Sequence, residues 1–465
     1  MSGPISLEPG GAEQDTLAIR LAVPRPRRFL DDATLAIRLP SKGPDEEAVS
    51  ALAAELADRV GPAVHPYEVA ALLEADGLSA SVIKERYGHP TLFSLAAALY
   101  ERVPRAFPEP AAPPDPWRPD TVRCLLRGVL FALPALAYLL TGPLWRIDEH
   151  APVLVTAGVV SWAWGQALGH RAHLRLTTGR REASRTLLAG SLLGACTATG
   201  LAAIPAGGGA VTVAAAAQSL YLAAAGVLLV LGRERLLLAA LSPLIAGAAV
   251  LPWWEPGTLL RLTFPLLALF ATLAVALRVL ASGLAVPAAE GPRPRLRGSV
   301  PYGLFGLAAA VLVMLEGRQD PYAVIVLTLS MGPAEWLLYR YRGWSVAALR
   351  ASATPRAFLL RSSGVLALCL LCYLLLLLVP ALLLDSAPVA LLSLAAVLWS
   401  ALLLQAFGVA WPPAVVCLAT AAGASVVTLA GPPGGSAVLP PVCGAAAVCL
   451  AACVVALLGR PSPHV

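Results

Sequence analysis

From residue 122 onward, apolar runs of about twenty residues follow one another, each ended by a short polar or basic connection. That repetition leaves the chain few options. A hydrocarbon interior offers no water to unpaired N–H and C=O groups, so a chain made for it must satisfy its backbone within helices or a closed barrel. Runs of that length and composition read as membrane-spanning helices. Twelve are delimited, near 124–142, 151–169, 187–205, 210–231, 236–252, 258–281, 300–315, 321–339, 362–384, 387–408, 412–430 and 439–458, the fifth and seventh being short. Charged residues make up only 13% of the chain, against about 25% in soluble domains. The expected fold class is all-α: a polytopic membrane protein of about twelve transmembrane helices in two six-helix halves, preceded by a small cytoplasmic helical domain.

The arginines give the orientation. With the N-terminus inside, the cytoplasmic connections of a twelve-span chain hold Arg171, Arg175, Arg180, Arg181 and Arg185, then Arg233 and Arg235, then Arg278, Arg293, Arg295 and Arg297, then Arg340, Arg342, Arg350, Arg356 and Arg361, and Arg460. The outside connections hold Arg146 and Arg318. Positive charge collects on the cytoplasmic side of multi-pass proteins, so the expectation is a cell-membrane protein with both termini in the cytoplasm. The first 40 residues show no continuous apolar signal segment. The outside connections are short, leaving no sizeable extracellular domain.

The domain plan read from composition has a disordered tail at 1–43, a helical domain at 44–106, a Pro-rich linker at 107–121, a first six-helix half at 122–287, a cytoplasmic linker at 288–299 and a second half at 300–465. The basic connection after the second helix has a counterpart after the eighth. A shift of 169 places Gln166 on Glu335, Arg171 on Arg340 and Arg181 on Arg350, the layout of a duplicated transporter.

The run GQALGHRAHLRLTTGRREASRTLLAGSLLGA resembles the junction between the second and third helices of the multidrug/oligosaccharidyl-lipid/polysaccharide flippase superfamily. Gly165, Gly169, Gly179, Arg180, Ala183, Arg185 and Leu187 carry the likeness. LGRERLLLAALSPLIAG (231–247) is similar to that superfamily's fourth-to-fifth junction, and the polysaccharide-exporting, Pel-transporter-like branch is the nearer one. The resemblance implies export of a polysaccharide or lipid-linked glycan precursor by rocking one half against the other. The drug-exporting branch keeps a coupling carboxylate in the first helix; no acid stands in that helix here.

Ionisable and polar groups inside the spans are the candidate substrate-binding residues. Glu335 lies near the cytoplasmic end of the eighth helix, as a gate carboxylate or as an interfacial partner of Arg340 or Arg342. Gln166 is its expected counterpart. Arg261, near the outer end of the sixth helix, attracts an anionic substrate or pairs with Glu255. Gln218, Tyr221, Tyr302 and Gln405 line a polar cavity or bridge helices. Ser242, Pro243 and Pro265 mark expected breaks. The eight cysteines all fall in apolar runs and read as small buried hydrophobes. No cofactor or metal motif is visible, and no arrangement of a soluble-type enzyme.

TLAIRL occurs twice in the tail, at 16–21 and 34–39, as a docking motif or a duplication without a role. Residues 44–105 read as four short helices, with His65 and His89 at helix starts. Their ten acids against five Lys/Arg exclude nucleic acid, whose phosphates require the opposite sign, and favour a cytoplasmic protein partner. The partners expected elsewhere are the lipid bilayer and a glycan or lipid-linked substrate. Two other readings stand beside the carrier. One is a membrane glycosyltransferase using a lipid-phosphate donor, with Asp148 and Glu149 of RIDEH as its acids. The other is a scaffold that recruits partners through the N-terminal domain.

Overall fold

A computed structural model describes residues 45–105, 118–144, 147–206, 209–289, 291, 294–384, 387–430 and 439–460. The tail with its two TLAIRL copies, most of the Pro-rich tether, Arg146, Arg293 and the GPPGG stretch lie outside them. Every regular element among the described residues is helical. The chain divides into two compact units, Met1–Pro114 and Asp115–Val465.

In the first unit, α1 (Glu46–Glu55) stops at Leu56 and a single turn, α2 (Ala57–Val60), follows, so the stretch expected as one helix is two. Then come α3 (Pro66–Ala75), α4 (Ala80–Arg86) and α5 (Leu92–Arg102). Asp45, His65, Ser79 and Thr91 cap α1, α3, α4 and α5 by accepting first-turn N–H groups. His89 does not begin a helix, because Thr91 takes that place; its ring is buried instead. Val49, Leu52, Val69, Leu73, Ile83, Leu95 and Leu99 form a core of this unit's own.

The second unit is an all-α, polytopic membrane protein. Eleven helical stretches among its described residues are long and apolar enough to cross a bilayer. The first is bent: α6 (Thr121–Ala132) gives way to α7 (Ala135–Thr141) around Pro134, whose ring nitrogen donates nothing. Next are α8 (Ile147–Leu176), α9 (Arg180–Ala206) and α10 (Ala210–Val230). The expected fifth span is a broken pair, α11 (Glu234–Ala240) and α12 (Ser242–Val250), too short singly to be counted among the eleven. The break falls at Leu241, directly before the expected Ser242–Pro243. Pro265 makes no break, since α13 (Thr258–Leu284) runs through it. The second half comprises α14 (Val300–Gly317), α15 (Pro321–Arg350), α16 (Pro355–Leu383), α17 (Pro388–Ala406), α18 (Trp411–Ala430) and α19 (Leu439–Leu458).

The basic connection 170–186 is mostly helix. α8 runs on to Leu176 and α9 begins at Arg180, so the turn itself is three residues. Its arginines do more than face the headgroups. Arg171 donates to the carbonyl of Pro294 at 3.0 Å, Arg181 to that of Val286 at 3.4 Å, and Arg175 pairs with Glu182 at 3.2 Å. The second helix's end is thereby tied to the segment joining the halves.

Each half has a core: Leu130, Leu187, Leu228, Leu241 and Leu280 in the first, Leu312, Trp399, Leu404, Cys417 and Leu450 in the second. Cys124, Cys369, Cys417 and Cys443 are buried as expected, but Cys196, Cys372 and Cys449 face outward. The halves meet along two helix pairs, α6 on α15 and α8 on α14. Those are the first helix with the eighth and the second with the seventh, the pairing a two-fold relation between six-helix halves produces. The ends of α8 and α15 match at a different offset from the one read between the basic connections. Ile147 and Pro321 are 174 positions apart, as are Leu176 and Arg350. On that offset Gln166 corresponds to Arg340 rather than Glu335. The five-residue discrepancy exceeds one helical turn.

Candidate functional site

Two close crossings bring the halves together near the arginine-rich end, and a cavity lies beyond them. At the α6–α15 crossing, two glycines let the backbones touch. A Cβ on Gly128 would stand 2.7 Å from the carbonyl oxygen of Leu329, and one on Gly332 would stand 2.7 Å from that of Cys124. Pro333 removes the N–H that the Leu329 carbonyl would otherwise take within α15, and that carbonyl is the one Gly128 faces. Trp336 Nε1 donates to Thr121 Oγ1 at 3.2 Å across the same pair.

An ion network covers this crossing. Asp120 caps α6 and starts the helix that carries Arg123 and Arg127 one turn apart. Gly232, at φ 68°, makes the left-handed turn after α10, a conformation that strongly favours glycine. That turn sets Glu234 in the first turn of α11, facing α6. Glu234 is almost wholly buried and accepts from Arg123 Nε at 2.7 Å and from Arg127 at 2.8 and 3.0 Å. The other arm of Arg127, Nη1, donates to Glu335. Arg127 thus spans one carboxylate from each half. Glu335 is therefore paired, with neither of its expected partners. Arg340 lies over the Trp336 ring instead, 4.8 Å from its centroid, and Arg342 over Phe407 at 5.2 Å.

The α8–α14 crossing is close but carries no such network. Cβ atoms on Gly303 and Gly306 would meet Ala163, Gln166 and Ala167 at 2.7–3.4 Å. Tyr302 stacks on His170 with ring centroids 3.8 Å apart, and His170 Nδ1 lies 3.1 Å from Ser299 Oγ.

Above these crossings lies a cavity of about 1000 Å³ lined by both halves. Its lining includes Phe131, Trp162, Tyr221, Phe305, Tyr373 and Trp399. It runs from Gln166 and Phe305, beside the crossings, to Gly142, His150 and Ala210 toward the other end of the bundle. Among the described residues, no Asp, Glu, Lys or Arg lines it. Of the sequence candidates, Gln166, Gln218 and Tyr221 line it. The Gln218 amide nitrogen donates to the Leu154 carbonyl at 3.3 Å, and its amide oxygen is buried with no protein partner.

The remaining candidates are elsewhere. Glu335 belongs to the ion network, although its neighbour Ala334 lines the cavity. Tyr302 belongs to the α8–α14 crossing. Gln405 is buried at the end of α17. Arg261 Nε donates to the Pro256 carbonyl at 2.9 Å, with Glu255 at 4.0 Å, so it serves its own helix end. Asp148 and Glu149 lie in the first turn of α8.

Sequence reading missed Arg127 and Glu234. Arg127 stood inside a delimited span as a charge in an apolar run, which was signal enough. Glu234 was assigned to the connection before the fifth span. Among the described residues no group of three or more His, Cys, Asp or Glu could hold a metal ion.

No protein-family model matches the chain, and no curated protein matches it. A crystal structure of MATE in the bent conformation is similar at 14% identity, over 74% of this chain and 91% of that one, with a TM-score of 0.36. A likeness at that level decides nothing about function.

Proposed function

We propose that the chain is a carrier that moves an amphiphilic, lipid-linked glycan precursor across the cell membrane by alternating access. The observation that carries this reading is the largely apolar cavity between the halves, flanked toward the arginine-rich end by two glycine-lined crossings. A free polysaccharide would bring many hydroxyl groups into it, and each left unpaired there is costly. A lipid-borne substrate brings apolar chain to match the lining, with Gln166, Gln218 and Tyr221 as its polar contacts. The positive-inside distribution supports both termini and the end that carries the two crossings facing the cytoplasm. The likeness at the 165–195 junction supports a place in the flippase superfamily, on its polysaccharide-exporting branch.

The ion network suits a reversible closure. Burying Glu234 and half-burying Arg127 and Glu335 costs desolvation that offsets much of their attraction. The closed and open arrangements then stay close in free energy, as a cycling carrier requires. Water entering between α6 and α15 would solvate both sides of the network and let the halves part.

The test is a flip assay in vesicles with a fluorescent polyprenyl-diphosphate sugar. Wild-type protein should move it. Ala217→Trp, which fills the cavity, should stop movement, whereas Arg261→Ala should leave it unchanged. Normal flipping by a folded Ala217→Trp protein would remove the cavity from the mechanism. Competition by the free oligosaccharide, equal to that by the lipid-linked form, would favour a glycan without its lipid.

A further inference from the structure

The surface of the N-terminal helical unit carries one aromatic platform. Tyr67 and Phe93 are 67% and 58% exposed, and Val64 beside them 65%. Tyr67 meets Phe93 edge to face, centroids 5.7 Å apart, and His65 lies 4.6 Å from Tyr67. Hydrogen bonds fix the backbone around the platform. His65 Nδ1 accepts from the Tyr67 N–H, Glu68 accepts from the Val64 N–H at 3.0 Å, and the Tyr100 hydroxyl donates to the Val64 carbonyl at 2.6 Å. Thr91 and Ser94 form a reciprocal capping box at the start of the helix that bears Phe93. Clustered rings fixed in water are a feature of binding surfaces; scattered apolar residues need no such explanation.

We propose that this platform is the docking site for the chain's own N-terminal tail, through TLAIRL at 34–39 with its copy at 16–21 as a second ligand. The segment has the right pattern: in extended form Leu35, Ile37 and Leu39 share one edge, leaving Arg38 on the other. The charge complementarity lies between the two copies: residues 45–105 hold ten acids and five Lys/Arg, whereas residues 20–28 hold Arg20, Arg25, Arg27 and Arg28 and no acid; residues 31–42 are themselves neutral and offer the apolar contact. The tail leaves the unit beside the helix that bears Phe93: the carboxylate of Glu46, where the helices begin, stands 3.9 Å from the guanidinium of Arg102 at the far end of α5. Phe93 is nine residues back along that helix, about 14 Å. The five residues between Leu39 and Asp45 span up to about 17 Å. So short a tether holds the segment near the platform at an effective concentration of about a millimolar, enough for a weak motif to stay bound. A second identical copy raises the occupancy without new chemistry.

The test is hydrogen exchange on the full chain in detergent micelles, compared with a chain lacking residues 1–43. Removing the tail should speed exchange of the amides at 64–69 and 91–97 by about fivefold, as expected for a weak ligand held at millimolar effective concentration. A synthetic peptide of residues 31–42 should restore protection. The same peptide with serine at the positions of Leu35, Ile37 and Leu39 should not. The full chain with Tyr67→Ala and Phe93→Ala, both exposed positions, should exchange like the shortened one. Unchanged exchange on removing the tail overturns the proposal, as does equal rescue by the serine peptide. Protection that follows protein concentration would assign the platform to a second copy. Protection of the shortened chain by anionic vesicles would assign it to the membrane surface. Either result overturns docking in cis.

Discussion

The two crossings that join the halves perform one geometric task with different chemistry. Both rely on glycine to bring helix backbones together, Gly128 with Gly332 on one side and Gly303 with Gly306 on the other. At α8–α14 the surrounding groups are a stacked His170–Tyr302 pair and small side chains. At α6–α15 they are four ionised groups from three helices, arranged around Arg127. Close approach in a membrane therefore does not require charge. Charge appears at the crossing that also engages the broken fifth span through Glu234. Solvation can switch an ion network, whereas a ring stack has little response to water. In the carrier proposed above, α6–α15 would be the side that opens.

The strongest way to break this comparison is Glu234→Gln. It leaves Arg123 and Arg127 with a neutral neighbour and should cost about 3 kcal/mol, the low end for a buried pair because Arg123 is half exposed. Thermal unfolding in detergent, followed by tryptophan fluorescence, would show the lowered midpoint. A wild-type midpoint would mean that the network contributes nothing and the crossings are equivalent. Gly128→Val comes next, at about 2 kcal/mol by the same measurement, because the atoms in its way are backbone. Gly306→Ala should cost about 1 kcal/mol, since its nearest neighbour is the Gln166 side chain, which can turn aside. A loss equal to that of Gly128→Val would show the second crossing to be as unyielding as the first. The smallest effect is expected of Tyr302→Leu, about 0.5–1 kcal/mol for the lost ring stack. A double-mutant cycle on His170 and Tyr302, set against one on Arg127 and Glu335, would sharpen the contrast by measuring the two couplings directly.

Span positions were legible because they depend on local composition. The run at 151–169 lies inside α8, and the one at 258–281 inside α13. The helix ends were less so. Arg171 and Arg175 read as loop because charge is excluded from hydrocarbon, yet a helix continues past the lipid boundary wherever its backbone bonds can. Three of seven candidate residues, Gln166, Gln218 and Tyr221, reach the cavity. Glu335 was recognised as costly in lipid, but its partner is 208 positions away. Nearby arginines were the natural guess from the sequence, and they point elsewhere.

The sequence by itself determined that this chain is helical, crosses the membrane many times and gathers its arginines at one end. Each of those follows from the free energy of putting a short stretch of chain into oil or water, which needs no knowledge of neighbours. Only the tertiary structure decided that Arg127 bridges two halves, that the second helix meets the seventh, and that an apolar cavity remains between them. Those outcomes depend on which helices become adjacent. Adjacency is set by the fit of small residues such as Gly128 and Gly332, whose lack of a side chain reveals nothing until the opposing backbone is in place.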